Sequence, residues 1–73
     1  MAVNKRVAKR HLEEMLMAMN NHRNDRAEYG DNRDAAGVER CEQLLKAYYS
    51  RIRVHCAEHD LELPHDVPSE DAA

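Results

Sequence analysis

The 73-residue sequence contains no threonine, tryptophan or phenylalanine, and it has only two glycines and two prolines. These absences argue against a β-sheet protein, because threonine and large aromatic residues favour strands, and no alternating apolar pattern is found. Alanine, glutamate, arginine, leucine and methionine are abundant instead, and they lose little rotamer freedom in a helix. The composition therefore predicts an all-α chain.

Long apolar runs are also missing, which excludes a transmembrane helix, and the polar, basic N-terminus lacks the apolar core of a signal peptide. Only two cysteines occur. Cys41 and Cys56 would lie roughly 22 Å apart on one helix at about 1.5 Å per residue, so they cannot form an intramolecular disulfide. We therefore expect a cytoplasmic protein with no membrane association.

The clearest pattern is an apolar seam in the second half of the chain, where residues recur at alternating spacings of three and four: Val38, Cys41, Leu45, Tyr48, Ile52, His55 and His59. This spacing predicts a helix over about 32–59 that packs lengthwise on another helix. A second stripe predicts a first helix over about 4–27, through Ala8, Leu12, Met15, Leu16 and Met19. Together they predict an antiparallel two-helix hairpin spanning 1–60.

The turn is expected at residues 29–32, with Gly30 in the left-handed conformation and Asp31 or Asn32 capping the second helix. A fold at Gly30 sets Ala8 near Ile52, and Arg26 near Asp34. The alternative is a long loop over 20–33, because this stretch is rich in asparagine, a poor helix former.

A chain this short buries a small share of its surface, so we expect a second copy to supply stability. The stretch from Met15 to Met19 is apolar on every side, which predicts cover from more than one direction. The expected assembly is a homodimeric four-helix bundle. The apolar residues proposed for the dimer or for a partner are Val3, Val7, Met15, Met17, Met19 and Tyr49.

Residues 61–73 form an acidic tail that contains Pro64 and Pro68 and is expected to be extended and flexible. Its apolar residues Leu61, Leu63 and Val67 have two alternatives, which are packing against the hairpin or docking in a partner's groove.

The segment from His55 to His59 matches H-x-x-E-H, in which two histidines one turn apart can bind zinc. The alternative is that both histidines complete the seam and lie near the negative end of the helix dipole. We expect the second, with no metal and no cofactor. Without a phosphate-binding loop or an activated nucleophile, the chain is not expected to be an enzyme.

Positive charge is concentrated at the end of the hairpin away from the turn, and the candidate partner-binding residues there are Lys5, Arg6, Lys9, Arg10, Arg51 and Arg53. Such a surface suits an acidic protein surface or nucleic acid phosphates. In outline the chain is similar to the Rop family, whose bundles can present helix faces to RNA. We expect a regulator or inhibitor that binds another protein, with RNA or DNA binding as the alternative.

Overall fold

The computed structural model describes residues 4 to 69. It contains two helices, α1 (Lys5–Asp31) and α2 (Ala35–Glu58), which pack against each other along their length. No strand is present in these residues. The predicted all-α class and the two-helix hairpin are confirmed. Val3 and residues 70 to 73 of the predicted tail lie outside the described residues.

The turn lies later in the chain than the sequence pattern predicted. α1 continues through Gly30, no described glycine has a positive φ, and it is Arg33 that takes the left-handed conformation at φ 58°. The Asp34 side chain accepts a hydrogen bond from the Gly37 amide (3.0 Å) and thereby caps α2. The predicted left-handed Gly30 is wrong, and so is the alternative of a long loop over 20–33.

Gly37 explains why α2 begins where it does. A Cβ atom built on Gly37 would lie 2.6 Å from the ring of Tyr29, so only glycine lets this ring cross onto the start of α2. Tyr29 is half-buried there, and its carbonyl accepts a hydrogen bond from the Asp34 amide (2.8 Å). Contacts across the turn, rather than the flexibility of Gly30, therefore fix the point at which the chain reverses.

The later turn changes which residues face each other. His55, rather than Ile52, contacts Ala8, with 2.7 Å between His55 Nε2 and the Ala8 carbonyl oxygen. Arg26 forms its ion pair with Glu42 (2.8 Å) instead of Asp34. The predicted register is wrong by several positions, because in an antiparallel hairpin each residue that moves the turn shifts every facing pair.

A single core lies between the helices and beneath the C-terminal segment. Its buried members are Met19, Leu45, Ile52, Cys56 and Val67. Leu61 and Leu63 are partly buried against this core, so in the described residues the apolar side chains of the tail pack on the hairpin itself. Both cysteines are free and buried. Within residues 4 to 69, neither helix is long and apolar enough to cross a membrane.

Candidate interaction surfaces

The C-terminal segment covers the part of one long side of the hairpin that lies away from the turn. We call this side the tail side and define it by Arg23, Tyr49, Arg53 and Cys56; towards the turn it remains an open hollow at Arg26, Leu45 and Lys46. The Arg23 guanidinium donates to Asp66 Oδ2 (2.9 Å) and to the Tyr49 hydroxyl (3.1 Å), and Arg53 donates to the Pro68 carbonyl (3.1 Å). The hydrogen bond to Tyr49 is the main reason that the pKa of Arg23 is raised, and Asp66 adds to it. Arg23 is therefore a permanent cation that holds the segment in place.

The opposite long side is an open groove between the helices. We call it the open side, and it is lined by His11, Glu14, Met15, Ala18, Tyr48, Arg51 and His55. Met15, Ala18 and Tyr48 are half-buried, and none of the described tail residues lines this groove. Partial burial of a row of apolar side chains is the state expected of a helix face that lacks its cover.

Helical spacing extends the open side in both directions. Val7 precedes Ala18 by about three turns, and Leu44 precedes Tyr48 by about one turn, so each lies on the same stripe as its groove residue. Val7 is 41% exposed and Leu44 is 39% exposed. Leu44 was missed as a surface candidate in the sequence, because it adjoins Leu45 and reads as part of the same apolar seam.

The six predicted partner-binding cations occupy three places. Those of α1 form a basic cluster, in which exposed cations line a shallow hollow together with Glu13: Lys5, Arg6, Lys9 and Arg10. Arg51 lies on the open side, with its guanidinium carbon 5.9 Å from the centre of the Tyr48 ring. Arg53 is engaged with the tail. Only the four residues of the basic cluster therefore share one surface.

The predicted apolar partner residues are similarly divided. Val7 and Met15 lie on the open side, whereas Met17 is 68% exposed on the outer surface of α1. Met19 has no exposed area, because it is packed between the helices and the tail. Tyr49 is on the tail side, where its hydroxyl accepts from Arg23. The sequence placed these side chains on α1 and α2, but burial and the position of the tail separate them.

Three histidines lie near the open end of the hairpin. The rings of His55 and His59 are 4.6 Å apart between centroids, and those of His11 and His55 are 6.3 Å apart. His55 Nε2 carries a hydrogen, because its partner, the Ala8 carbonyl, can only accept. Within residues 4 to 69, no group of three or more histidine, cysteine, aspartate or glutamate side chains is arranged to hold a metal ion.

No protein-family model matches the chain, and no significant similarity was found to curated proteins or to solved structures. The similarity to the Rop family is therefore one of outline and assigns no role to any residue.

Proposed function

We propose that this chain is a small non-enzymatic regulator or inhibitor that acts by binding another protein as a helical-hairpin dimer. The observation that supports this function best is the basic cluster, in which four exposed cations surround a single carboxylate, that of Glu13. A concentration of one charge on a small surface steers association and selects a partner of opposite charge. The partner would therefore present an acidic surface.

The open side supports dimerisation. A second hairpin laid on it would bury Met15, Ala18 and Tyr48 and complete a four-helix bundle. The basic cluster, which lies on the outer part of α1, would stay accessible in such a dimer. The proposed division of work is that one surface assembles the dimer while another meets the partner.

A regulatory rather than catalytic role also agrees with the state of the thiols. Burial raises the pKa of the Cys56 thiol, so Cys56 stays protonated and is a poor nucleophile at neutral pH. Buried, unpaired cysteines are typical of a reducing compartment, and the cytoplasm is the setting that we propose.

A photo-crosslinking residue in place of Glu13, within the hollow of the basic cluster, would identify the partner in the source cell. Purified partner would then be titrated with the wild type, with R6Q/R10Q, and with R33Q/K46Q as a control that removes the same charge elsewhere. We expect R6Q/R10Q to bind at least about tenfold more weakly and the control to bind like the wild type. Equal weakening by both variants, or by neither, would contradict a role for this cluster.

The alternative is an RNA- or DNA-binding helical dimer, which the same four cations favour because they can neutralise backbone phosphates as well as acidic side chains. Fluorescence anisotropy with mixed RNA and DNA at low salt tests it. Binding that falls steeply with added salt would replace the first proposal, and an absence of binding at low salt would exclude the alternative.

A further inference from the structure

Two rows of charge border the open side, one on each helix. On α1, Glu14 and Asp25 lie about three turns apart on the stripe that contains Ala18. On α2, Arg40 and Arg51 lie about three turns apart on the stripe that contains Leu44. The two stripes have identical spacing. In each, a charged residue is followed by an apolar residue about one turn later, and a second residue of the same charge follows about two turns after the apolar one. The α1 row is acidic, and the α2 row is basic.

These rows lie at matching levels along the hairpin. The contact of the His11 and His55 rings places Glu14 and Arg51 on opposite walls of one groove. Towards the turn, the ion pair of Arg26 with Glu42 brings the neighbouring Asp25 and Arg40 to the same level within one turn.

The four side chains are not used to hold the hairpin together. Within residues 4 to 69, Glu14 Oε2 lies 3.8 Å from His11 Nδ1 on its own helix, and Arg51 lies against the Tyr48 ring. The two ion pairs between arginine and a carboxylate in residues 4 to 69 are Arg23–Asp66 and Arg26–Glu42, and neither involves a residue of the two rows. The charges of both rows are thus available to a second molecule.

We infer that the open side binds a second copy of this chain through a two-fold axis parallel to the helices, so that α1 of each copy lies on α2 of the other. This rotation leaves the position of each residue along the helix axis unchanged. It therefore brings Glu14 opposite Arg51 of the second copy and Asp25 opposite Arg40 of the second copy. Symmetry repeats both pairs, which gives four complementary contacts around an apolar centre formed by Met15, Leu44 and Tyr48 in both copies.

The opposite arrangement, with the two turns at different ends, is disfavoured by the same charges. It lays α1 on α1 and α2 on α2, so acidic row faces acidic row and basic row faces basic row. Like charges at an interface are an effective device against a wrong arrangement. The rows thus select one of the two ways in which the hairpins can pair.

This arrangement rests on the dimer of the proposed function and deepens it, because both turns then lie at one end and both basic clusters lie at the other. The four cations of each copy would then lie at the same end of the bundle, with one basic cluster on the outer surface of each α1.

Charge reversal tests the inference. Analytical ultracentrifugation would compare the wild type with E14R/D25R, with R40E/R51E, and with E13R/E28R, a control that makes the same charge change on other positions of α1. We expect each of the first two variants to weaken dimerisation by roughly a hundredfold, because four attractive contacts become repulsive. The control should dimerise like the wild type, and circular dichroism should show unchanged helix content in all of them.

Two rescues follow from the geometry. An equimolar mixture of E14R/D25R with R40E/R51E should form a heterodimer. The quadruple variant E14R/D25R/R40E/R51E should form a homodimer. A nitroxide on R33C, attached under native conditions in which the other cysteines are buried, should give a turn-to-turn distance well below the roughly 40 Å length of α1.

Four results would each overturn the inference. They are a monomeric wild type at about 100 µM, a dimer whose stability neither charge reversal changes, a quadruple variant that fails to dimerise, and a turn-to-turn distance near the helix length. These failures are distinguishable from failure of the proposed function. R6Q/R10Q leaves both charge rows intact, whereas the row variants leave the basic cluster intact, so partner binding and dimer arrangement are measured on separate residues.

Discussion

The tail side and the open side are the two long grooves that any two-helix hairpin leaves, and in this protein they have different fates. On the tail side the chain returns after Pro64 and buries Val67, which is 3% exposed. On the open side Met15 and Tyr48 stay half-buried, and Leu44 remains 39% exposed. The described tail covers the part of the tail side away from the turn and leaves the hollow between Arg26 and Lys46 open, whereas it lines no part of the open side, which is the natural place for a second molecule.

The tail side is held chiefly by apolar burial rather than by its ion pair. Removing a valine side chain from water contributes about 1.5–2 kcal/mol. The pair between Arg23 and Asp66 is partly solvated, with side chains 32% and 52% exposed, and pairs of this kind contribute about 0–1 kcal/mol. Substitutions that disturb apolar burial should therefore lower the stability of the tail side more than substitutions that remove a charge.

The largest effect is expected from V67D, which places a carboxylate in the core of the tail side. The free energy of unfolding should fall by about 2–4 kcal/mol in urea denaturation, because a buried charge without a partner must be expelled together with its segment. The control is V54D on α2, where the native valine is 52% exposed, and its effect should stay within about 0.5 kcal/mol. Equal losses for both would show that the tail does not close this groove.

A smaller effect is expected from R23A. This substitution removes the donor to Asp66 and to the Tyr49 hydroxyl. The free energy of unfolding should fall by about 1–2 kcal/mol. The matched control is R26A, which breaks the exposed pair with Glu42 and should cost less than about 1 kcal/mol. If R26A proved the more damaging variant, the tail contacts of Arg23 would not be what anchors the segment.

The smallest effect concerns the Cys56 thiol, whose Sγ lies 3.9 Å from the Glu62 carbonyl oxygen of the tail segment. Burial raises the pKa of this thiol above its ordinary value of 9.0, so its contribution to stability is full below pH 9 and is lost as the pH rises through the folded-state pKa. The free energy of unfolding, measured between pH 8 and 10, should therefore fall more in the wild type than in C56A.

The same thiol reports on the tail directly. Opening of the tail side in V67D should expose Cys56 and speed its reaction with a thiol reagent at pH 8, relative to the wild type and to V54D. A rate that does not change in V67D would mean that the tail is not what shields this thiol.

The sequence could predict the helices and their seams because these depend on local spacing. Val38, Cys41, Leu45 and Ile52 repeat with the period of a helix whatever lies beyond them. The turn could not be predicted from the usual glycine signal. Gly30 is the obvious candidate by conformational freedom, yet it is helical, and the reversal at Arg33 depends on the approach of Tyr29 to Gly37.

The candidate surfaces divide in the same way. The sequence by itself determined that the chain is helical, that each helix has one apolar face, and that four cations gather near the start of α1, since composition and period suffice for these features. Only the tertiary structure decided that Val67 closes one groove, that Arg53 faces the tail, and that Leu44 and Tyr48 stay on an open face. The physical reason is that register and cover depend on contacts between residues far apart in the chain, which no local pattern encodes.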